Sequence, residues 1–106
     1  HELIKLYWTL GKSITEKQEQ LGWGKSVVEQ LAHDLQETFE SRSGFSVRNL
    51  WNMRQFYLEY HEDENLQQLV AEIPWGQNLA IMAKIKNKEA RHYYIKSSHN
   101  HMYVIN

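Results

Sequence analysis

One proline in 106 residues, Pro74, and five glycines leave this chain few places where a helix must stop. Between those points the apolar residues recur at helical spacing. Leu3, Tyr7, Leu10 and Ile14, flanked by Leu6 and Trp8, predict an amphipathic helix over residues 2–20. Gly11 lies inside that helix, where it costs up to about 1 kcal/mol relative to alanine. A close approach by a second helix would explain its presence. Gly22-Trp23-Gly24 ends the element, and Val27, Val28, Leu31, Leu35 and Phe39 predict a second helix over residues 25–40. Ser41-Arg42-Ser43-Gly44 reads as a connector.

Ser46 is an N-cap type, and the helix it opens is expected to run to about Tyr60. Its inner face is Leu50, Met53, Tyr57 and Tyr60, with Phe56 at the edge, and its opposite stripe is Arg48, Asn52, Gln55 and Glu59. Trp51 falls near the exposed stripe, as a contact for a neighbouring helix or a partner chain. A short helix over residues 65–72 follows, with Leu66, Leu69 and Val70 apolar. After Pro74, the spacing of Trp75, Leu79, Met82 and Ile85 predicts another buried face. Asn87 breaks the pattern, and a last helix over residues 88–96 is expected to turn Ala90, Tyr94 and Ile95 inward. Residues 97–106 show no helical period and are expected to form an irregular tail, with Met102-Tyr103-Val104-Ile105 as a strand or packed extension. The expected fold is all-α: one domain over residues 1–96, a bundle of five or six helices with a helix-turn-helix-like unit at about residues 25–60.

Composition narrows the function classes. Without cysteine there are no disulfides and no thiolate metal sites, which fits a cytoplasmic protein. No apolar run approaches the roughly 20 residues of a membrane span, and no secretory leader pattern is present. A chain beginning at His1, without an initiator Met, reads as a piece of a longer protein. The net charge of −1 is unevenly distributed. Residues 41–58 hold Arg42, Arg48 and Arg54 with no acid, a local charge of +3. Residues 84–96 hold Lys84, Lys86, Lys88, Arg91 and Lys96 against Glu89, a local +4, so the remainder carries −8. Two basic segments on an acidic chain suit a phosphate-binding face, if the fold unites them.

A helix, a connector and a second capped helix with a polar stripe is the outline of a helix-turn-helix unit. Arg, Asn and Gln are the side chains that make bidentate hydrogen bonds to guanine and adenine in the major groove. Arg48, Asn52 and Gln55 are therefore the candidate base readers, and a merely solvated helix face is the plain alternative. Arg42, Arg54, Lys84, Lys86, Lys88 and Arg91 are the candidate phosphate contacts. The connector over residues 40–45 is longer than the usual turn. Of the six histidines, only His99 and His101 lie close together, without the helical spacing or a third ligand that a metal site needs. His33 lies opposite the Leu31/Leu35 face and reads as solvated. No nucleophile elbow, phosphate-cradling glycine loop or strand-borne Asp and Glu-x-Lys set is present, so the chain reads as non-catalytic and free of cofactors. Trp51, Tyr57, Tyr60, Tyr93 and Tyr94 have two readings, as stacking platforms for unpaired bases or as core. Tyr57, Tyr60, Trp75 and Trp8 are assigned to the core.

Several linked motifs carry a family resemblance. They are Leu6-Tyr7-Trp8 with Leu10-Gly11-Lys12, Gly22-Trp23-Gly24-Lys25, and Leu31-Ala32 with Asp34-Leu35. Next come Gly44-Phe45-Ser46-Val47-Arg48-Asn49-Leu50 and Met53-Arg54-Gln55-Phe56-Tyr57. Ile73-Pro74-Trp75-Gly76 and Arg91-His92-Tyr93-Tyr94-Ile95 complete the order. With these, residues 3–96 resemble the N-terminal helical domain of bacterial YhcG-type proteins, a domain of unknown function that precedes a PD-(D/E)XK nuclease domain. The resemblance implies a nucleic-acid-binding or assembly role beside a nuclease that this chain lacks, and it transfers no catalytic residue. The partners implied are DNA, as duplex, and the C-terminal nuclease domain, with self-pairing into a homodimer as an alternative role. After Ile95 the family continues in helix, and residues 97–106 are expected to depart from it.

Overall fold

The computed structural model describes residues 2–21, 25–39 and 43–105, and every regular element among them is helical. In chain order these are α1 (Glu2–Leu21), α2 (Lys25–Thr38), a 3-10 turn (Ser43–Phe45), α3 (Val47–Tyr60), α4 (Glu64–Val70), α5 (Trp75–Lys84) and α6 (Lys88–Ile105). The all-α expectation is met. Close contacts divide the chain into two compact units, one of Leu6–Glu59 and one of His1–Lys5 with Tyr60–Asn106.

In the Leu6–Glu59 unit, α1 crosses α3 at Gly11. A Cβ at this position would overlap the Met53 carbonyl and lie 2.7 Å from its carbon. Only glycine permits two backbones to meet this closely, which is the reason the sequence keeps a poor helix former there. The crossing sets the rotation of α1. Tyr7, Ile14 and Thr15 are buried and Leu6 is 43% exposed; in the first turn of α1, which belongs to the other unit, Ile4 is buried and Leu3 is 42% exposed. Of the expected face, Tyr7 and Ile14 are inward, Leu10 is half-buried and Leu3 is turned out. Trp8 packs its ring edge-on against Phe56 and Tyr57, at centroid distances of 5.6 Å and 5.1 Å. On α3, Leu50, Met53 and Phe56 are fully buried and Tyr57 is half-buried, so Phe56 takes the central place expected of Tyr57. On α2, Val27, Val28 and Ala32 form the buried face, and the 3-10 turn packs against this helix. Phe39 lies beyond the end of α2, largely exposed, with its ring 5.5 Å from that of Phe45.

In the other unit, Tyr60, Leu66, Val70, Ile81 and Ile95 are buried. Asp63 opens α4 as its N-cap: its Oδ1 accepts the Leu66 N–H at 3.1 Å. Asn78, fully buried on α5, donates to the carbonyls of Val70 at 3.1 Å and Ile73 at 2.9 Å. Its amide satisfies backbone acceptors stranded where α4 ends ahead of Pro74. Trp75, Leu79, Met82 and Ile85 flank this centre, each half-buried. Asn87 starts a helix as well as ending one, since its Oδ1 accepts the Ala90 N–H at 2.8 Å. That helix, α6, packs on α4 and continues to Ile105, so residues 97–105 are helical where an irregular tail was expected. Its inward positions are Arg91 and Ile95, while Ala90 and Tyr94 are exposed. An arginine at an inward position hid the true register from an apolar pattern.

Candidate nucleic-acid interface

The signature from Gly44 to Tyr57 is mostly consumed by building the start of α3. Ser46 Oγ accepts the Asn49 N–H at 3.1 Å, the expected cap. The Asn49 amide donates to the Gly44 carbonyl at 2.9 Å and is also hydrogen-bonded with the Tyr7 hydroxyl. A Cβ on Gly44 would stand 2.6 Å from that hydroxyl, so a larger residue here would push the Tyr7 phenol aside. Gln36 donates to the Phe45 carbonyl at 3.0 Å, tying α2 to the 3-10 turn, and the Phe45 ring is buried. Burial raises the Tyr7 pKa above its ordinary 10.0, partly offset by the Asn49 bond, so the phenol is neutral at working pH. Neither Asn49 nor Gln36 stood out in the sequence. Asn49, three residues after an N-cap serine, is the one with a readable signal.

What remains of α3 is the predicted stripe. Arg48 and Gln55 are exposed and Asn52 is half-buried, and none of them forms a hydrogen bond or ion pair among the described residues. Glu59, the fourth member, is half-buried and engaged within the chain. Arg54 is more constrained than expected. It is half-buried, its Nε donates to Gln18 Oε1, and its guanidinium carbon sits 5.5 Å from the centre of the Trp51 ring. That cation–π contact covers the tryptophan, while other guanidinium donors remain to meet a phosphate. Arg42 lies outside the described residues.

The second basic segment belongs to the other unit. Lys84, Lys86 and Lys88 are exposed around the α5–α6 corner, without a partner among the described residues. Arg91 differs from the expectation for it. Its side chain is 8% exposed, with Nε donating to the Ile85 carbonyl at 2.9 Å and Nη2 to the Lys86 carbonyl at 3.3 Å. It braces the corner by donating to carbonyls past the end of α5, and this engagement takes up its guanidinium. Lys96 pairs with Asp63 at 3.3 Å, both side chains partly exposed. The Leu66 N–H chiefly, with Lys96 adding, holds the Asp63 carboxyl below its usual range.

His33 is exposed, 3.4 Å from Glu37. Among the described residues no group of three His, Asp or Glu side chains is placed to hold a metal ion. The side chains of His99 and His101 lie outside the described set. Among the described residues no helix is long and apolar enough to cross a membrane.

These features define a helical domain whose Gly44–Tyr57 motif is largely architectural and whose remaining polar stripe faces outward. The chain belongs to the DUF1016 N-terminal domain family, whose model matches residues 1–106. No curated protein and no solved structure matches it. The YhcG-type resemblance therefore stands and reaches further than residues 3–96. Residues 97–106, expected to depart from the family, fall within the match.

Proposed function

We propose that this chain is a non-catalytic DNA-binding accessory domain of a PD-(D/E)XK nuclease-family protein, with α3 entering the major groove as the second helix of a helix-turn-helix-like pair. One observation carries this reading. Within the signature, Gly44, Phe45, Ser46, Asn49, Leu50, Met53 and Phe56 each serve the fold, whereas Arg48, Asn52 and Gln55 share one outward stripe with no partner among the described residues. Their side chains offer the bidentate donors and acceptors that distinguish bases, at about 1–3 kcal/mol per good pair. Arg54, whose remaining guanidinium donors are unengaged among the described residues, supplies a phosphate contact beside the groove. Work on DNA beside a nuclease assigns the protein to the cytoplasm.

Fluorescence anisotropy on short duplexes across a salt series tests the proposal. Affinity should fall by about 0.9 log unit per log unit of salt for each phosphate contacted. Arg48→Ala with Gln55→Ala, both at exposed positions, should weaken binding at every salt concentration. Salt-independent binding, or an unchanged affinity in the double variant, rejects the reading.

A second reading is a protein-interaction module that dimerises the parent protein or docks its nuclease domain. Exposed Leu3 and Leu6, one turn apart on α1, favour it. Gly11 is not available to such a partner, because Met53 occupies the space against it. Sedimentation decides between the two: a dimer lost on Leu6→Ser, with no affinity for DNA, supports this second role.

A further inference from the structure

Duplex reading by α3 leaves the outer side of α6 without a use. Tyr93 is 73% exposed, and its neighbour Tyr94 is 45% exposed. Arg91 and Ile95 point inward from the same helix, which turns Tyr93 close to the opposite side. Ala90, one turn before both tyrosines, is exposed and too small to cover them. Lys84, Lys86 and Lys88 lie at the preceding corner, and Lys96 follows Tyr93 by one turn. Glu89 is the only acid between residues 84 and 96. Arg91 and the Asn87 cap fix the backbone that carries this set.

We propose that α6 and the α5–α6 corner bind single-stranded nucleic acid, with Tyr93 stacking on an unpaired base and Lys84, Lys86 and Lys88 holding adjacent phosphates. A phenol ring left this open gains little from burial in its own fold, but it offers a flat face to any base, whatever the sequence. From Lys88 to Tyr93 the helix rises about 7.5 Å, a gap that a flexible lysine stem and one nucleotide bridge together. A docking peptide would want large aliphatic side chains on this face. Among the described residues it has none: the exposed groups are tyrosines, alanine and an excess of cations. The proposal rests on the nucleic-acid reading above but uses residues of the other unit, so the two can fail separately.

The test is anisotropy on labelled oligo-dT, on an abasic strand of equal length and on a duplex. Tyr93→Ala should weaken oligo-dT binding about 5- to 150-fold, and Tyr93→Phe should retain it. The abasic strand and the duplex should be insensitive to Tyr93→Ala. Lys84→Ala/Lys86→Ala/Lys88→Ala should flatten the single-strand salt slope by about 2. Oligo-dT affinity unchanged in Tyr93→Ala overturns the proposal, as does an equal loss on the abasic strand. Self-association that depends on Tyr93, with no oligonucleotide affinity, overturns it too, in favour of a protein partner. If Arg48→Ala weakens duplex binding while Tyr93→Ala changes nothing, the α3 reading survives and this one falls.

Discussion

Replacing Gly11 by alanine sets two effects of opposite sign against each other. In an isolated helix the change stabilises by about 1 kcal/mol, because glycine has more backbone freedom to lose. In this fold the new methyl would lie 2.7 Å from the Met53 carbonyl carbon and 3.2 Å from the Arg54 nitrogen, and would overlap the Met53 oxygen. These are backbone atoms of α3, so no rotamer change relieves the clash and the helices must separate. Overpacking of this kind costs up to about 3 kcal/mol. Separation also loosens the edge-on packing of Trp8 against Phe56 and Tyr57, worth roughly another 1 kcal/mol. Less the helix gain, the net loss is about 3 kcal/mol. Urea denaturation followed by tryptophan fluorescence reads this as a midpoint lower by about 1–3 M, for a slope of roughly 1–3 kcal/mol per M. A midpoint that rises, as it would for a glycine on an open helix face, refutes the close crossing of α1 and α3.

Asp63 contributes to stability through its cap on α4 and its contact with Lys96, and its folded pKa lies below the ordinary 3.8. That contribution is present above 3.8 and is lost as pH falls through the lowered folded value. The melting temperature of wild type minus that of Asp63→Ala should therefore be constant near neutrality and shrink in acid, and a gap that persists unchanged through acid pH contradicts the assignment. Arg91→Met keeps the apolar stem but strands the Ile85 and Lys86 carbonyls, which should cost about 2 kcal/mol, or roughly 8–16 °C in melting temperature. Its salt slope for duplex binding should match wild type, and a slope reduced by about 0.9 would restore Arg91 to the phosphate contacts.

Much of the fold is legible from local chemistry. Scarce glycine, a single proline and apolar residues at helical spacing set the number and approximate limits of the helices, and Ser46 marks the start of α3 through a hydrogen bond three residues long. Gly11 is legible for the same reason, since a costly residue inside a helix requires a steric cause. The departures on α5 and α6 share one source. Arg91 and Asn78 occupy inward positions as polar residues, donating to carbonyls at helix ends that no periodicity reports. With Arg91 counted as outward, Tyr94 falls on the inward face of α6, and residues 97–106 show no helical period.

The candidate site divides along the same line. The sequence alone determined that a capped helix presents Arg48, Asn52 and Gln55 on one stripe, because cap and period are properties of the local backbone. Only the tertiary structure decided which polar residues of that signature are engaged. Asn49 is held by Gly44 and Tyr7, and Arg54 by Gln18 and Trp51; outside the signature, Arg91 is held by the α5–α6 corner. Arg48, Asn52 and Gln55 are left outward because a hydrogen bond depends on what lies across space, and spacing along a helix carries no record of that.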